Sequence, residues 1–185
     1  MKVVETELKG CFLIEPAVFK DERGYFFESF NQEKFNQATG LSVQFVQDNQ
    51  SFSSKNVLRG LHYQRGEYQQ AKLVHVIQGT ILDVVVDLRP NSSTFRQSFK
   101  TKLTSENHQQ LFVPRGFAHG FVVLSETAIF TYKCDNYYKK EAEGGIIYND
   151  TDLAIDWEVQ SERLILSKKD IELPTLKESL SICEY

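Results

Sequence analysis

Apolar residues in this chain recur mainly at every second position, in short runs broken by turn residues. Residues 57–64, 72–78, 81–87, 110–113, 117–124 and 128–133 have the length and alternation of strands. Gly79 and Thr80 mark the turn between the second and third of these. Several runs are apolar on both faces, as in a sandwich or barrel in which one face packs inside and the other meets a further layer. Upstream, residues 3–19 read as a short strand followed by a loop at Pro16. Residues 20–30 read as a turn at Arg23 and Gly24 followed by a strand, with Phe26, Glu28 and Phe30 on one face. Residues 31–39 are the best short helix, with Asn31 as cap, a Phe30/Phe35 staple and Gly40 as stop. Residues 43–49 alternate, placing Val43, Phe45, Gln47 and Asn49 on one face, and residues 51–56 read as a polar loop. From Asp156 onward one or two short helices are expected, interrupted at Pro174. There is no βαβ rhythm, internal repeat or low-complexity linker. The pattern predicts an all-β fold, a jelly-roll β-barrel with a few short peripheral helices, as one domain over residues 1–185.

The length of 185 residues suffices for a substantial core. A content of 14 Phe and 8 Tyr favours strands and aromatic-lined pockets. The net charge of −4 argues against a nucleic-acid surface, but leaves room for an anionic small ligand where Arg and Lys converge. Cys11, Cys134 and Cys183 are odd in number and widely spaced, with no Cys-x-x-Cys, which fits a reducing compartment. The N-terminus is too charged for a signal peptide and no apolar run reaches membrane length, so the expectation is a cytoplasmic protein.

The chain has four histidines, His62, His75, His108 and His119. A β-barrel metal site calls for His-x-His with a carboxylate on facing strands. Here Gln64 stands at the second position of that pattern and Lys72 at the next candidate, where an ammonium opposes a divalent ion. No metal is expected. No Gly-x-Ser-x-Gly occurs, so a covalent hydrolase finds no support. Proton transfer remains. His62 is of the residue type that titrates near neutrality. Tyr132 shares parity with Ala128 and Phe130, and Lys72 with Val74 and Val76, so both project from apolar walls. A base, a phenol and a buried cation are the parts needed to remove a proton beside a carbonyl, hold the enolate and return a proton elsewhere. Each has a plainer reading. His62 reads also as a hydrogen-bonded structural histidine, Tyr132 as a strand aromatic, Lys72 as an edge-strand charge, and Arg23, Arg59 and Arg115 as surface charges. In a regular strand Arg59 and His62 face opposite sides; a bulge at Gly60 is required to bring them together.

With these motifs assembled, the chain resembles the dTDP-4-dehydrorhamnose 3,5-epimerase family, cupin-type enzymes acting on nucleotide sugars. The matching segments are KDERGYFFESF, QDNQSFSSKNVLRGLHYQ, KLVHVIQGTILDVVVDLRPNSSTF, LFVPRGFAHGFVVLSE, YKCDNYY and IIYNDTDLAIDW, in order over nearly the whole chain. The resemblance implies a homodimer of jelly-roll subunits with no metal or organic cofactor. The implied substrate is a dTDP-linked 4-keto-6-deoxyhexose, inverted at C3 and C5; inversion of one centre only, or sugar-nucleotide binding without turnover, are the neighbouring readings. It implies His62 as base, Asp170 as the partner that orients it and raises its basicity, Tyr132 as acid and Lys72 as the cation at the enolate oxygen. Arg59 is implied at the pyrophosphate, with Gln47, Asn49, His119 and Tyr138 lining the nucleotide-sugar pocket and Arg23 and Glu28 reaching the partner's ligand. Asp170 also ends a capping-box-like Ser167-Lys-Lys-Asp, and Gly116 and Gly120 also read as aids to tight strand packing. Arg65-Gly66-Glu67 replaces a proline-rich loop common in the family.

Overall fold

The computed structural model describes residues 1–182; Cys183 lies outside the described residues. In chain order the elements are β1 (Lys2–Glu5), β2 (Phe12–Glu15), β3 (Phe19–Asp21), β4 (Gly24–Phe26), α1 (Gln32–Thr39), β5 (Gln47–Ser54), β6 (Leu58–Gln64), β7 (Lys72–Gln78) and β8 (Thr80–Asp87). There follow β9 (Ser98–Thr104), β10 (Gln110–Val113), β11 (Phe117–Val123), β12 (Thr127–Cys134), β13 (Glu143–Gly145), α2 (Lys168–Ile171) and α3 (Leu176–Ile182). The strands form a six-stranded sheet ordered β1-β2-β10-β7-β12-β5, a five-stranded sheet ordered β13-β6-β11-β8-β9, and the small β3-β4 hairpin. This is the all-β barrel of jelly-roll type that the alternation predicts, in the cupin-like form that the resemblance implies.

Three apolar clusters hold it together. Val74, Val76 and Phe130 of the larger sheet meet Ile81, Val85 and Phe121 of the smaller one, which fixes the two inner faces. Alternate residues of β8, Leu82, Val84 and Val86, point the other way and pack with Trp157 and Leu176 of the C-terminal segment. That second layer is why β8 is apolar on both faces. On the outside of the larger sheet, Phe35 of α1 packs with Leu73 and Phe112. Asn31 caps α1 by accepting from Lys34 N–H at 3.1 Å, and Gly40 ends it in the left-handed conformation at φ 70°. Phe30 stands 6.1 Å from Phe35, centroid to centroid, as the staple requires.

Several boundaries differ from the pattern. The expected first strand is two, β1 and β2, paired antiparallel through a turn at Gly10 with φ 81°. The strand expected after Gly24 stops at Phe26, because β4 has only β3 to pair with. Residues 51–56 are not a loop: β5 runs to Ser54 and pairs with β12 along its length. Nor do Val43 and Phe45 share a face with Asn49. They join the cluster around Phe35, while Asn49 donates to Cys134 Sγ at 3.7 Å. Strands β9 and β13 escape the pattern, the first through its charged alternation and the second through its three-residue length.

Candidate active site

Between the sheets lies a cavity of about 280 Å³, lined by Ser51, Arg59, His62, Lys72, His119, Gly120, Phe121, Phe130, Tyr132, Ser167, Lys169 and Asp170. All four residues expected to carry the chemistry, His62, Tyr132, Lys72 and Asp170, share this cavity, with Arg59 and His119. His62 comes from the smaller sheet, and Tyr132 and Lys72 from the larger.

The parity conflict between Arg59 and His62 is resolved by a bulge. In the β11–β6 ladder Phe121 stands opposite Arg59 and His119 opposite His62, so two residues of β6 face one of β11. Leu58 and Leu61 accordingly both turn to the outer cluster, leaving Arg59 and His62 on the cavity side. Gly60 sits at φ 122°, and a Cβ there would lie 2.6 Å from Gly120 Cα and 2.8 Å from the His119 carbonyl oxygen. Gly120 is needed for the same close approach, since its own Cβ would lie 2.7 Å from the Arg59 carbonyl oxygen. The second glycine of the GFAHGF motif therefore serves strand packing, while Gly116 makes room for the Arg89 side chain.

His62 Nε2 lies 2.7 Å from Asp170 Oδ1. At that distance the carboxylate stands against the ring nitrogen and orients the imidazole. Ser167 caps α2: its Oγ accepts from the Asp170 N–H at 3.2 Å, and its hydroxyl donates to Asp170 Oδ2 at 2.6 Å. Asp170 thus stands beside His62 and also within the first turn of α2. Burial alone would raise the Asp170 carboxyl, but His62, Ser167 and the Gly60 N–H together hold it below the usual carboxylate range.

Burial pushes the Lys72 ammonium down, and no carboxylate among the described residues lies within ion-pair distance of it. Its Nζ lies 5.7 Å from the centroid of the Tyr132 ring. Burial pushes the Tyr132 phenol up, so its hydroxyl keeps its proton. Arg59 Nε donates to Ser53 Oγ at 3.1 Å. The Ser51 hydroxyl is buried in the wall and has no hydrogen-bond partner among the described residues. An unmet buried polar group costs roughly 1–3 kcal/mol, a sign that the cavity is shaped for a polar guest. The cavity thus presents two imidazoles, a phenol and three cations between apolar sheets, a set suited to proton transfer on an anionic molecule. Among the described residues no group of three His, Cys, Asp or Glu is placed to hold a metal ion.

The remaining expected residues lie outside the lining. Arg23 is on the β3-β4 hairpin, largely exposed, and paired with Asp21 at 2.6 Å. Glu28 pairs with Lys34 at 2.9 Å and lines a separate apolar recess of about 240 Å³. Gln47 donates to Asn49 at 3.1 Å and accepts from Tyr138 N–H at 3.1 Å. Tyr138 is exposed and its hydroxyl donates to Glu143 at 2.9 Å. Sequence reasoning missed Asp83, whose carboxylate is fully buried 2.9 Å from His119 Nε2. Its signal was an acid inside the apolar run of β8. Glu143, which joins Tyr138 to Lys169, gave no signal.

Comparison with known proteins bears on this site. The family described as dTDP-4-dehydrorhamnose 3,5-epimerase matches residues 5–178. The chain is 53% identical over 182 residues to a dTDP-4-dehydrorhamnose 3,5-epimerase of Escherichia coli, covering 98% of each. It superimposes on the crystal structure of a dTDP-4-dehydrorhamnose 3,5-epimerase from Elizabethkingia anophelis with TM-score 0.93 and 57% identity, over 96% of this chain and 97% of that one. It is also similar to the dTDP-6-deoxy-D-glucose-3,5-epimerase of Legionella pneumophila in complex with dTDP-4-keto-L-rhamnose, with TM-score 0.91 and 45% identity over 95% and 93% of the two chains.

Proposed function

Because the chain belongs to the dTDP-4-dehydrorhamnose 3,5-epimerase family, we propose that it is the isomerase that inverts C3 and C5 of a dTDP-linked 4-keto-6-deoxyhexose, on the path to dTDP-L-rhamnose. One observation carries the mechanism: His62 and Tyr132 stand on opposite sheets of one cavity, with Lys72 beside the phenol. His62 takes the proton from the carbon next to the C4 ketone. With Nε2 against Asp170, Nδ1 is the nitrogen free to receive it. The electron pair moves onto the ketone oxygen, and Lys72 balances that charge where little water competes. Tyr132 then gives its proton to the opposite face of the same carbon, and the centre is inverted. His62 then releases its proton to solvent and the Tyr132 phenolate takes one up, and the same cycle on the other side of the ketone inverts the second centre. The anionic Asp170 favours the imidazolium formed in the first step. Every step moves a proton among side chain, substrate and solvent, with no change of oxidation state, so the reaction as proposed calls for no metal or organic cofactor.

In this reading Arg59 meets the pyrophosphate, and His119, Gln47, Asn49 and Tyr138 line the nucleotide-sugar pocket. The exposure of Arg23 and Glu28, away from their own cavity, supports a homodimer in which they reach the partner's ligand. The whole chain acts as one domain in the cytoplasm. Among the described residues no helix is long and apolar enough to cross a membrane. The test is turnover of the dTDP-4-keto sugar in heavy water, with deuterium expected at both C3 and C5. Label at one carbon reduces the reading to a mono-epimerase; label at neither, with binding intact, refutes the enzyme.

A further inference from the structure

Strand β12 belongs to the larger sheet and β13 to the smaller, so residues 135–142 must cross from one to the other over the end of the barrel. At the middle of that crossing the N–H of Tyr138 donates to Gln47 Oε1 at 3.1 Å, and the N–H of Lys139 donates to Gln64 Oε1 at 2.9 Å. Gln47 opens β5 at the edge of the larger sheet, and Gln64 ends β6 in the smaller. Lys139 is extended, at φ −130° and ψ 117°, and consecutive N–H groups of an extended chain point to opposite sides. One dipeptide is thus a rung between two sheets, held at each end by a glutamine oxygen. Gln64 is buried, and Glu143, which receives the Tyr138 hydroxyl, is its neighbour in the β13–β6 ladder. We propose that Gln64 is a positioning residue: with Gln47 it clamps Tyr138–Lys139 across the barrel end and so fixes where the Tyr138 ring meets the nucleotide sugar. The inference rests on the placement of Tyr138 at the nucleotide sugar proposed above.

Gln64 touches none of the groups that move protons, so its loss should appear in binding. Gln64→Met keeps the length of the side chain and removes the acceptor. The expected result is a rise of roughly 3- to 10-fold in KM for the dTDP-4-keto sugar and in Kd for dTDP, the loss of one neutral hydrogen bond, with kcat within about 2-fold of wild type. Because Gln64 acts through Tyr138, adding Gln64→Met to Tyr138→Ala should raise KM no further. An unchanged KM in Gln64→Met, additive effects in the double variant, or a fall in kcat at constant KM each overturns the proposal. Thermal melting of the same preparations establishes that each variant is folded. If Gln64→Met does not fold, Gln64→Asn, which keeps polarity but shortens the reach, gives the same reading. A wild-type protein that neither binds dTDP nor turns over the sugar refutes the proposed function instead.

Discussion

The bulge at Gly60 gives the most direct test of how this site is assembled. Two glycines of the chain share nearly the same φ, Gly60 at 122° and Gly24 at 125°. Around Gly24 a Cβ would find nothing within 4 Å, whereas at Gly60 it would lie 2.6 Å from the backbone of Gly120. Alanine at either position carries the strain of a positive φ, about 1–3 kcal/mol. Only Gly60→Ala adds the steric term, roughly another 1–3 kcal/mol, because strand backbone cannot swing aside like a side chain. At ~2–4 °C per kcal/mol for a chain of this size, Gly60→Ala should melt ~2–12 °C below Gly24→Ala. Relief of the clash moves β6 away from β11 and turns Arg59 or His62 out of the cavity. Displacement of about 1 Å at a reacting group costs on the order of 100-fold in rate. Thermal unfolding followed by circular dichroism, and deuterium exchange into the 4-keto sugar at a temperature where both variants are folded, measure the two effects. If Gly60→Ala melted with Gly24→Ala and exchanged protons at the wild-type rate, the account of the bulge would be wrong.

Two further outcomes follow from the same geometry. Tyr132→Phe removes the acid but not the base, so the substrate should still lose its proton to solvent while the inverted product forms roughly 100-fold more slowly or worse; a wild-type product rate refutes the assignment. Asp87 is fully buried and accepts from Arg89 Nε at 2.9 Å, Ser92 Oγ at 2.6 Å and Thr94 Oγ1 at 2.7 Å. Burial alone would raise its pKa, but these partners outweigh it and hold the carboxyl below the ordinary value. Its contribution to stability is therefore complete above the unfolded-state value near ~3.9, and is lost as pH falls through the lower folded value. Asp87→Asn should lower the melting temperature at neutral pH and flatten its fall in acid; an acid limb as steep as the wild type's refutes the reasoning.

The legible parts of the chain were those where burial alone chooses the residue. Strand β8 buries both faces, and Val84, Val85 and Val86 announce it. Strand β7 is found to the residue as well, through its buried Leu73, Val74 and Val76, although Ile77 and Gln78 at its end are exposed. Strand β5 was half hidden because its inward positions Gln47, Asn49, Ser51 and Ser53, opposite Cys134, Tyr132, Phe130 and Ala128, are polar, so the apolar alternation that marks a strand is missing. The facing of Arg59 and His62 depends on a ladder shift against β11, a long-range pairing that no local pattern encodes. The contact of His62 with Asp170 spans more than half the chain, and only the resemblance suggested it.

Helix α2 is a single turn of four residues, and the carboxylate beside His62 is part of its capping arrangement. So short a helix has almost no cooperativity of its own and stays wound through its docking. Fraying of that turn withdraws the anion from the imidazole while both sheets stay intact. On the proposed reading of Asp170, that single turn is where heat would reach the catalytic histidine first, through the loss of its partner rather than of the barrel.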